Sequence, residues 1–134
     1  MMVWYPRPPS ELRGATSQTS DLPRAAASAA DAKNARDIVL LDMRGLVTYT
    51  DHMVVCTGQT PRQTKAIADD VRRVFKTEYH LSPRKVEGDR EGEWILLDFL
   101  DVVVHVFTPQ AREFYRLDRL WHEAPREEYA VATP

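Results

Sequence analysis

Two continuous apolar runs do most to limit the folds open to this chain. Residues 38–41 (IVLL) and residues 53–56 (MVVC) contain no polar side chain, so neither shows the alternation of a strand with one solvated face. Runs of this length, bounded by turn residues, indicate strands that are covered on both faces. Because such strands need helices packed on their sheet, the two runs predict an α/β fold.

A well-marked helix follows the second run. Thr60 precedes Pro61, and Gln63 lies three residues after Thr60, which is the pattern of an N-cap, a proline in the first turn and a capping-box partner. The spacing predicts a helix over residues 61–79. Its apolar face would carry Ile67, Val71, Val74 and Phe75.

The second half of the chain reads mainly as strands. Residues 84–86 are expected to form a short strand, and residues 94–99 and 102–107 are spaced as an antiparallel hairpin. A further helix is expected after Thr108 and Pro109. Its buried face would carry Phe114, Leu117 and Trp121. The sequence therefore predicts a single α/β domain with a mixed sheet of about five strands, flanked by helices.

The two ends of the chain differ from the middle. Residues 1–20 hold several prolines and few large apolar side chains, so we predict a disordered N-terminal extension. A weak, alanine-rich helix is expected over about residues 22–34. The domain would then span residues 21–125, and the polar residues 126–134 would form a flexible tail.

Charge and cysteine content exclude several classes of protein. Eighteen basic and twenty acidic residues give a net charge of −2, which argues against a general nucleic-acid binder. The single Cys56 excludes a disulfide framework. The chain shows no secretory signal pattern at its start and no apolar run approaching ~20 residues, so we expect a cytoplasmic protein of bacterial type, with no membrane.

No motif predicts catalysis or metal binding. Cys56 ends a buried strand and is interpreted as a small core residue, and His105 lies among valines as a hydrogen-bonded core histidine. We predict no catalytic residue, no metal site and no cofactor. The alternative left open is that Asp98 and Asp101, which flank the hairpin turn, hold Mg²⁺ in a nucleotidyltransferase-like enzyme.

Charges are unevenly distributed along the chain. Residues 61–85 hold seven bases and three acids, whereas residues 87–101 hold six acids and one base, Arg90. These segments are either two solvated faces, or the acidic one, with Trp94 and Phe99, docks on a basic protein surface. We therefore name the predicted partner-binding residues as Glu93, Trp94, Leu96, Asp98, Phe99 and Asp101.

Several blocks of sequence resemble the ribosomal silencing factor family, also called the Iojap-like family. The resemblance covers about residues 35–125 and consists of consecutive blocks in the family's order. The blocks are ARDIVLLD (35–42), RQTKAIAD (62–69), EG (87–88), EWILLDF (93–99), DVVVHVF (101–107), REFY (112–115) and LDRLW (117–121).

The resemblance implies a fold similar to nucleotidyltransferases but without their catalytic residues, and a protein that is not an enzyme. It also implies binding to the fourteenth protein of the large ribosomal subunit, which blocks joining with the small subunit and lowers translation when nutrients are limiting. Organellar relatives act in large-subunit assembly, so an assembly role and an organellar location stay open, as does a homodimer. No sequence-specific nucleic-acid binding is expected.

The hairpin turn is one of several places where the chain departs from the family pattern. The hairpin turn, where the family usually has glycine, carries Leu100. Because leucine is poorly suited to positive φ, we expect this turn to adopt a different geometry.

Overall fold

In the computed structural model the backbone is described for residues 9–129, and the side chains for residues 21–117 and 119–129. None of the described helices is long and apolar enough to cross a membrane. The elements follow one another as α1 (Pro9–Ala32), β1 (Arg36–Asp42), β2 (His52–Thr57), α2 (Pro61–Tyr79), β3 (Lys85–Glu87), β4 (Trp94–Asp98), β5 (Val102–Phe107), α3 (Pro109–Tyr115), α4 (Leu117–Leu120) and β6 (Arg126–Glu128).

One mixed sheet organises the domain, as the sequence predicted. Its strand order is β3-β4-β5-β2-β1-β6, and β2 and β5 form its parallel pair. The strands β4 and β5 are the predicted antiparallel hairpin. The apolar run of β2 is central and fully buried, which explains why its sequence lacks alternation.

A sixth strand corrects the prediction of a flexible C-terminal tail. Residues 126–128 pair with β1 in antiparallel register, with Glu127 opposite Leu40. All three side chains of this strand are exposed, so no apolar pattern marks it. Strand pairing uses backbone groups, and the outer edge of β1 would otherwise leave its N–H and C=O groups unpaired. Residues 130–134 of the predicted tail lie outside the described residues.

Helix α2 confirms the predicted span. The side chain of Thr60 accepts a 3.1 Å hydrogen bond from the backbone N–H of Gln63, as an N-cap does. The return bond differs from a standard capping box, because Gln63 Oε1 accepts from the N–H of Gln59 at 2.6 Å. The helix ends at His80, which adopts the left-handed conformation.

Helix α1 starts earlier than predicted. It begins at Pro9 instead of about residue 22, so the predicted disordered extension, residues 1–20, overlaps its first turns. Adding residues to an anchored helix is cooperative and costs little, so weak propensity does not stop it. The anchor consists of small side chains, since Ala26, Ala27 and Ala30 are completely buried. Residues 1–8 lie outside the described residues, and the domain limits stay a prediction.

The two faces of the sheet are covered unequally. Helices α1 and α2 pack on one face and close a core that includes Ile67, Val71 and Phe75. On the other face the short helices α3 and α4 and the segment after them cover a smaller core around Phe107 and Leu117. The β4 end of that second face therefore stays partly exposed.

The β4–β5 turn corrects the expectation about Leu100. Its φ is +80°, so the leucine does adopt the left-handed geometry usually given to glycine. The N–H of Asp101 donates to the carbonyl of Phe99 at 3.0 Å, which closes a γ-turn centred on Leu100. Asp98 Oδ1 accepts from the Leu100 N–H at 2.8 Å and holds this conformation.

Candidate partner-binding face

Three of the predicted site residues share one surface. Trp94, Leu96 and Asp98 alternate along β4 and lie on the sheet face away from α2, and each is partly exposed. The residues between them, Ile95 and Leu97, are completely buried against the helices. The alternation predicted from the sequence therefore places half of β4 at the surface.

Trp94 is held in a fixed position on this face. Its indole N–H donates a 3.0 Å hydrogen bond to Nδ1 of His105, which lies opposite Leu96 on β5. Its ring stacks on Phe107 with 5.0 Å between centroids and contacts Tyr115 at 4.6 Å. An ordered, partly exposed aromatic ring is the kind of anchor that carries binding energy at protein interfaces.

Two exposed aromatic residues of α3 extend this surface. Tyr115 is 50% exposed and Phe114 is 79% exposed, and their rings meet edge to face at 4.9 Å. We call Trp94, Leu96, Phe114 and Tyr115 the aromatic face. The rings of Trp94, Tyr115 and Phe114 contact one another in series, and the partly exposed Leu96 lies on the same sheet face.

The exposure of Phe114 corrects the prediction that it shares a buried face with Leu117 and Trp121. Helix α3 ends after Tyr115 because Arg116 adopts a left-handed conformation with φ of 50°. The chain changes direction there, so helical spacing no longer relates Phe114 to Leu117.

Phe99 lies in the core and not on the predicted surface. Only 6% of it is exposed, and its ring contacts Phe75 of α2 with 4.4 Å between centroids. As an odd-numbered residue following β4 it points to the helix-covered side of the sheet. The interpretation of Phe99 as a partner-binding residue is therefore wrong.

The predicted acidic residues also hold the fold together. Besides the turn bond, Asp98 Oδ2 accepts from Nε of Arg84 at 3.2 Å. Glu93 Oε1 accepts from the hydroxyl of Thr108, the N-cap residue of α3, at 2.8 Å. The backbone carbonyl of Asp101 accepts from residues 51 and 52. These acids therefore position the elements around the aromatic face.

Two buried groups behave as core residues, as predicted. Burial raises the pKa of Cys56 to about 12, so its thiol stays protonated and unreactive at neutral pH. Burial also lowers the pKa of His105 to about 4, so the imidazole is neutral. Among the residues that the structure describes, no group of three or more potential metal ligands comes together.

Comparisons with known proteins identify relatives of this chain. A family model described as "Ribosomal silencing factor during starvation" matches residues 16–133. The ribosomal silencing factor of Bacillus subtilis is 41% identical over 100 residues, which cover 75% of this chain and 84% of that protein. The chloroplastic Iojap protein of Zea mays is 36% identical over 99 residues, or 73% of this chain and 42% of that protein.

A mouse protein named "Mitochondrial assembly of ribosomal large subunit protein 1" is 33% identical over 94 residues, or 66% of this chain and 40% of that protein. Solved structures share the fold. A Chromobacterium violaceum protein superposes with a TM-score of 0.74 at 33% identity, covering 87% of this chain and 93% of its own. A Bacillus halodurans protein gives 0.71 at 34% identity, covering 82% and 99%.

Proposed function

Because this chain belongs to the ribosomal silencing factor family, we propose that it binds the large ribosomal subunit through the aromatic face. Bound there, it excludes the small subunit by occupying the joining surface and so lowers translation when nutrients are limiting. No bond is made or broken, and the effect depends on affinity and on the volume of the bound domain. The protein acts in the bacterial cytoplasm.

The observation that carries this proposal is the fixed indole of Trp94. Its hydrogen bond to His105 and its stacking on Phe107 and Tyr115 hold the ring before any partner arrives. A surface that is already ordered loses little side-chain entropy on binding. The surface around Trp94 is therefore suited to a protein partner that offers an apolar pocket or a flat apolar surface.

We propose that the partner is the fourteenth protein of the large subunit. Glu93 and Asp98 border the aromatic face, and acidic groups at a rim favour a basic partner. Both acids also have internal partners, so they contribute to the rim mainly through their charge.

Co-sedimentation with separated ribosomal subunits tests the proposal. We expect the protein to travel with the large subunit and not with the small one. Tyr115→Ser should weaken this binding at least about tenfold, as loss of an interface anchor does. Tyr49→Ser is a matched control, because Tyr49 is 49% exposed and lies in the β1–β2 loop, at the end of the strands away from Trp94. Equal binding to both subunits, binding to neither, or equal loss in the two variants would contradict the proposal.

A second role, in large-subunit assembly, is favoured by the name of the mouse relative. Cells lacking the gene would then accumulate incomplete large subunits during rapid growth. Silencing predicts the opposite pattern, with normal subunits in rapid growth and an excess of joined ribosomes only under starvation. Gradient profiles of the two growth states distinguish the roles.

The structure disfavours the nucleotidyltransferase alternative at Asp98. Its charge is paired with Arg84 and its other oxygen accepts from the Leu100 N–H, so a metal ion would compete with Arg84 for this carboxylate. The relatives are named as silencing or assembly factors. A rise in melting temperature with Mg-ATP would revive the alternative, since a bound ligand stabilises the folded state.

A further inference from the structure

We propose that one side of helix α2 binds the phosphate backbone of RNA beside the protein site on the large subunit. The residues are Arg62, Lys65, Arg72 and Lys76, which we call the basic stripe. The proposal rests on the proposed function, because it adds an RNA contact to a subunit that the aromatic face already binds. The expected contact is to phosphates and not to particular bases.

The stripe follows from the spacing of these residues on one helix. At 3.6 residues per turn, its members fall within about 80° of the helix circumference and extend over about 21 Å. Arg62, Arg72 and Lys76 are exposed, and Lys65 is partly exposed. A row of cations of this length matches several consecutive phosphates, which is how a protein tracks a nucleic-acid backbone.

The cations of the stripe are available to a ligand. Among the described residues, no ion pair joins any of the four to an acid, whereas the adjacent Arg73 bonds Asp70 at 2.8 Å. One acid, Asp69, lies within the stripe. A second acid, Asp89, lies beside the stripe and lines a cavity of about 230 Å³ together with Lys65 and Arg72. Four bases against these two acids leave a positive surface.

An acidic membrane is a poor match for this helix. Its apolar residues Ile67, Val71 and Phe75 are completely buried in the core and cannot enter a lipid layer. The cavity beside the stripe is also lined by Ile95 and Leu97, the buried side of β4, whose other side carries Trp94. The stripe and the aromatic face therefore lie on two sides of the same strand, so a protein on one side leaves the other side open to RNA.

The overall charge of −2 does not oppose such a contact. Electrostatic attraction to phosphates depends on local charge, because salt screens charges more than about 10 Å away at 0.1 M ionic strength. The six acids of residues 87–101 make the total negative, but the stripe itself is basic.

The salt dependence of binding tests the proposal. Wild type and the double variant Arg72→Gln with Lys76→Gln are bound to large subunits over about 50 to 200 mM potassium chloride. Each phosphate contact contributes about 0.9 to the slope of log affinity against log salt, so the variant's slope should be smaller by about 2. At low salt its affinity should fall at least about tenfold.

The control variant is Arg44→Gln with Arg73→Gln. It changes the net charge equally, but it removes arginines that the structure pairs with Asp42 and Asp70. We expect it to keep the wild-type slope. Equal slopes for all three proteins, or equal losses in the two variants, would overturn the basic stripe while leaving subunit binding, and so the proposed function, in place.

Deproteinised large-subunit RNA provides a second probe. Wild type should bind it weakly and with steep salt dependence, and the Arg72/Lys76 variant should lose that binding. RNA binding without binding to intact subunits would support the stripe and refute the proposed function. A reduced slope on subunits with no binding to RNA would mean an acidic protein partner and would overturn the RNA contact.

Discussion

Trp94 and His105 form a partly buried hydrogen bond that determines which imidazole nitrogen carries the proton. The indole N–H donates to Nδ1, so Nδ1 has no proton and the neutral ring carries its proton on Nε2. Nε2 is itself buried and has no hydrogen-bond partner among the described residues. A second proton would therefore break the bond to Trp94 and place a charge in an apolar site.

The first prediction concerns pH. Burial lowers the pKa of His105 from 6.5 to about 4, so between these values the unfolded chain binds a proton that the folded chain does not. The stability that comes from keeping His105 neutral is therefore fully present above about pH 6.5 and is lost as the pH falls towards 4. We expect a loss of about 2 kcal/mol between pH 7 and pH 5, measured by urea unfolding.

A non-titrating variant isolates this contribution. In His105→Gln the amide oxygen still accepts from Trp94, and the pH dependence should decrease by most of that amount. His52 provides a remaining background, because burial lowers its pKa in the same direction. An unchanged pH dependence in His105→Gln would contradict the assignment.

The second prediction separates the two roles of Trp94. Trp94→Phe keeps an aromatic ring but removes the N–H donor, which leaves Nδ1 of His105 without its partner. We expect the unfolding free energy to fall by about 1–3 kcal/mol, the usual cost of an unsatisfied buried group. Subunit binding should weaken less than in Trp94→Ala, which also removes the ring. If Phe and Ala weaken binding equally, the ring is not the anchor.

The third prediction concerns Phe114, whose side chain is almost entirely in solvent. Phe114→Ser should change the unfolding free energy by less than about 0.5 kcal/mol, as surface substitutions usually do. Because a partner would bury this ring, affinity for the large subunit should decrease several-fold. Wild-type affinity together with wild-type stability would remove Phe114 from the aromatic face.

Local patterns in the sequence determine much of this fold. Helix α2 could be predicted because its cap at Thr60 and its apolar spacing agree. The hairpin could be predicted because two apolar segments, residues 94–99 and 102–107, are separated by only two residues. Trp94, Leu96 and Asp98 could be placed on one face because successive side chains of a strand point to opposite sides.

Several of the errors arise where tertiary context decides. Phe114 was misplaced because a single left-handed residue, Arg116, redirects the chain. Phe99 was misplaced because the alternation that exposes Asp98 buries its neighbour. The strand β6 has no apolar side-chain pattern, because its three side chains are exposed and it is held by backbone pairing with β1. Contacts between segments that are distant in the chain cannot be predicted from local sequence patterns.

The fourth prediction tests β6. A chain truncated after Pro125 loses the residues that pair with Val39, Leu40 and Leu41. It also loses the ion pair between Arg24 and Glu127, which joins α1 to this strand. We expect a lower unfolding free energy and a tendency to self-associate, because β1 becomes an apolar open edge. A truncation after residue 129 is the control and should behave as the full chain.

The fifth prediction concerns the strained turn at Leu100. A residue with a Cβ at positive φ costs about 1–2 kcal/mol, which glycine avoids, although glycine also loses more backbone entropy on folding. Leu100 is 50% exposed, so its removal sacrifices little packing. We therefore expect Leu100→Gly to raise the unfolding free energy by about 0.5–1 kcal/mol, and Leu100→Ala, which keeps the Cβ, to give no such gain. Gly45→Ala provides the reverse test, because Gly45 has φ of +84° with no atom within 4 Å of an added Cβ. It should lose about 1 kcal/mol from backbone strain alone. If urea unfolding gave equal stabilities for the glycine and alanine variants at position 100, the turn would not be strained by its leucine.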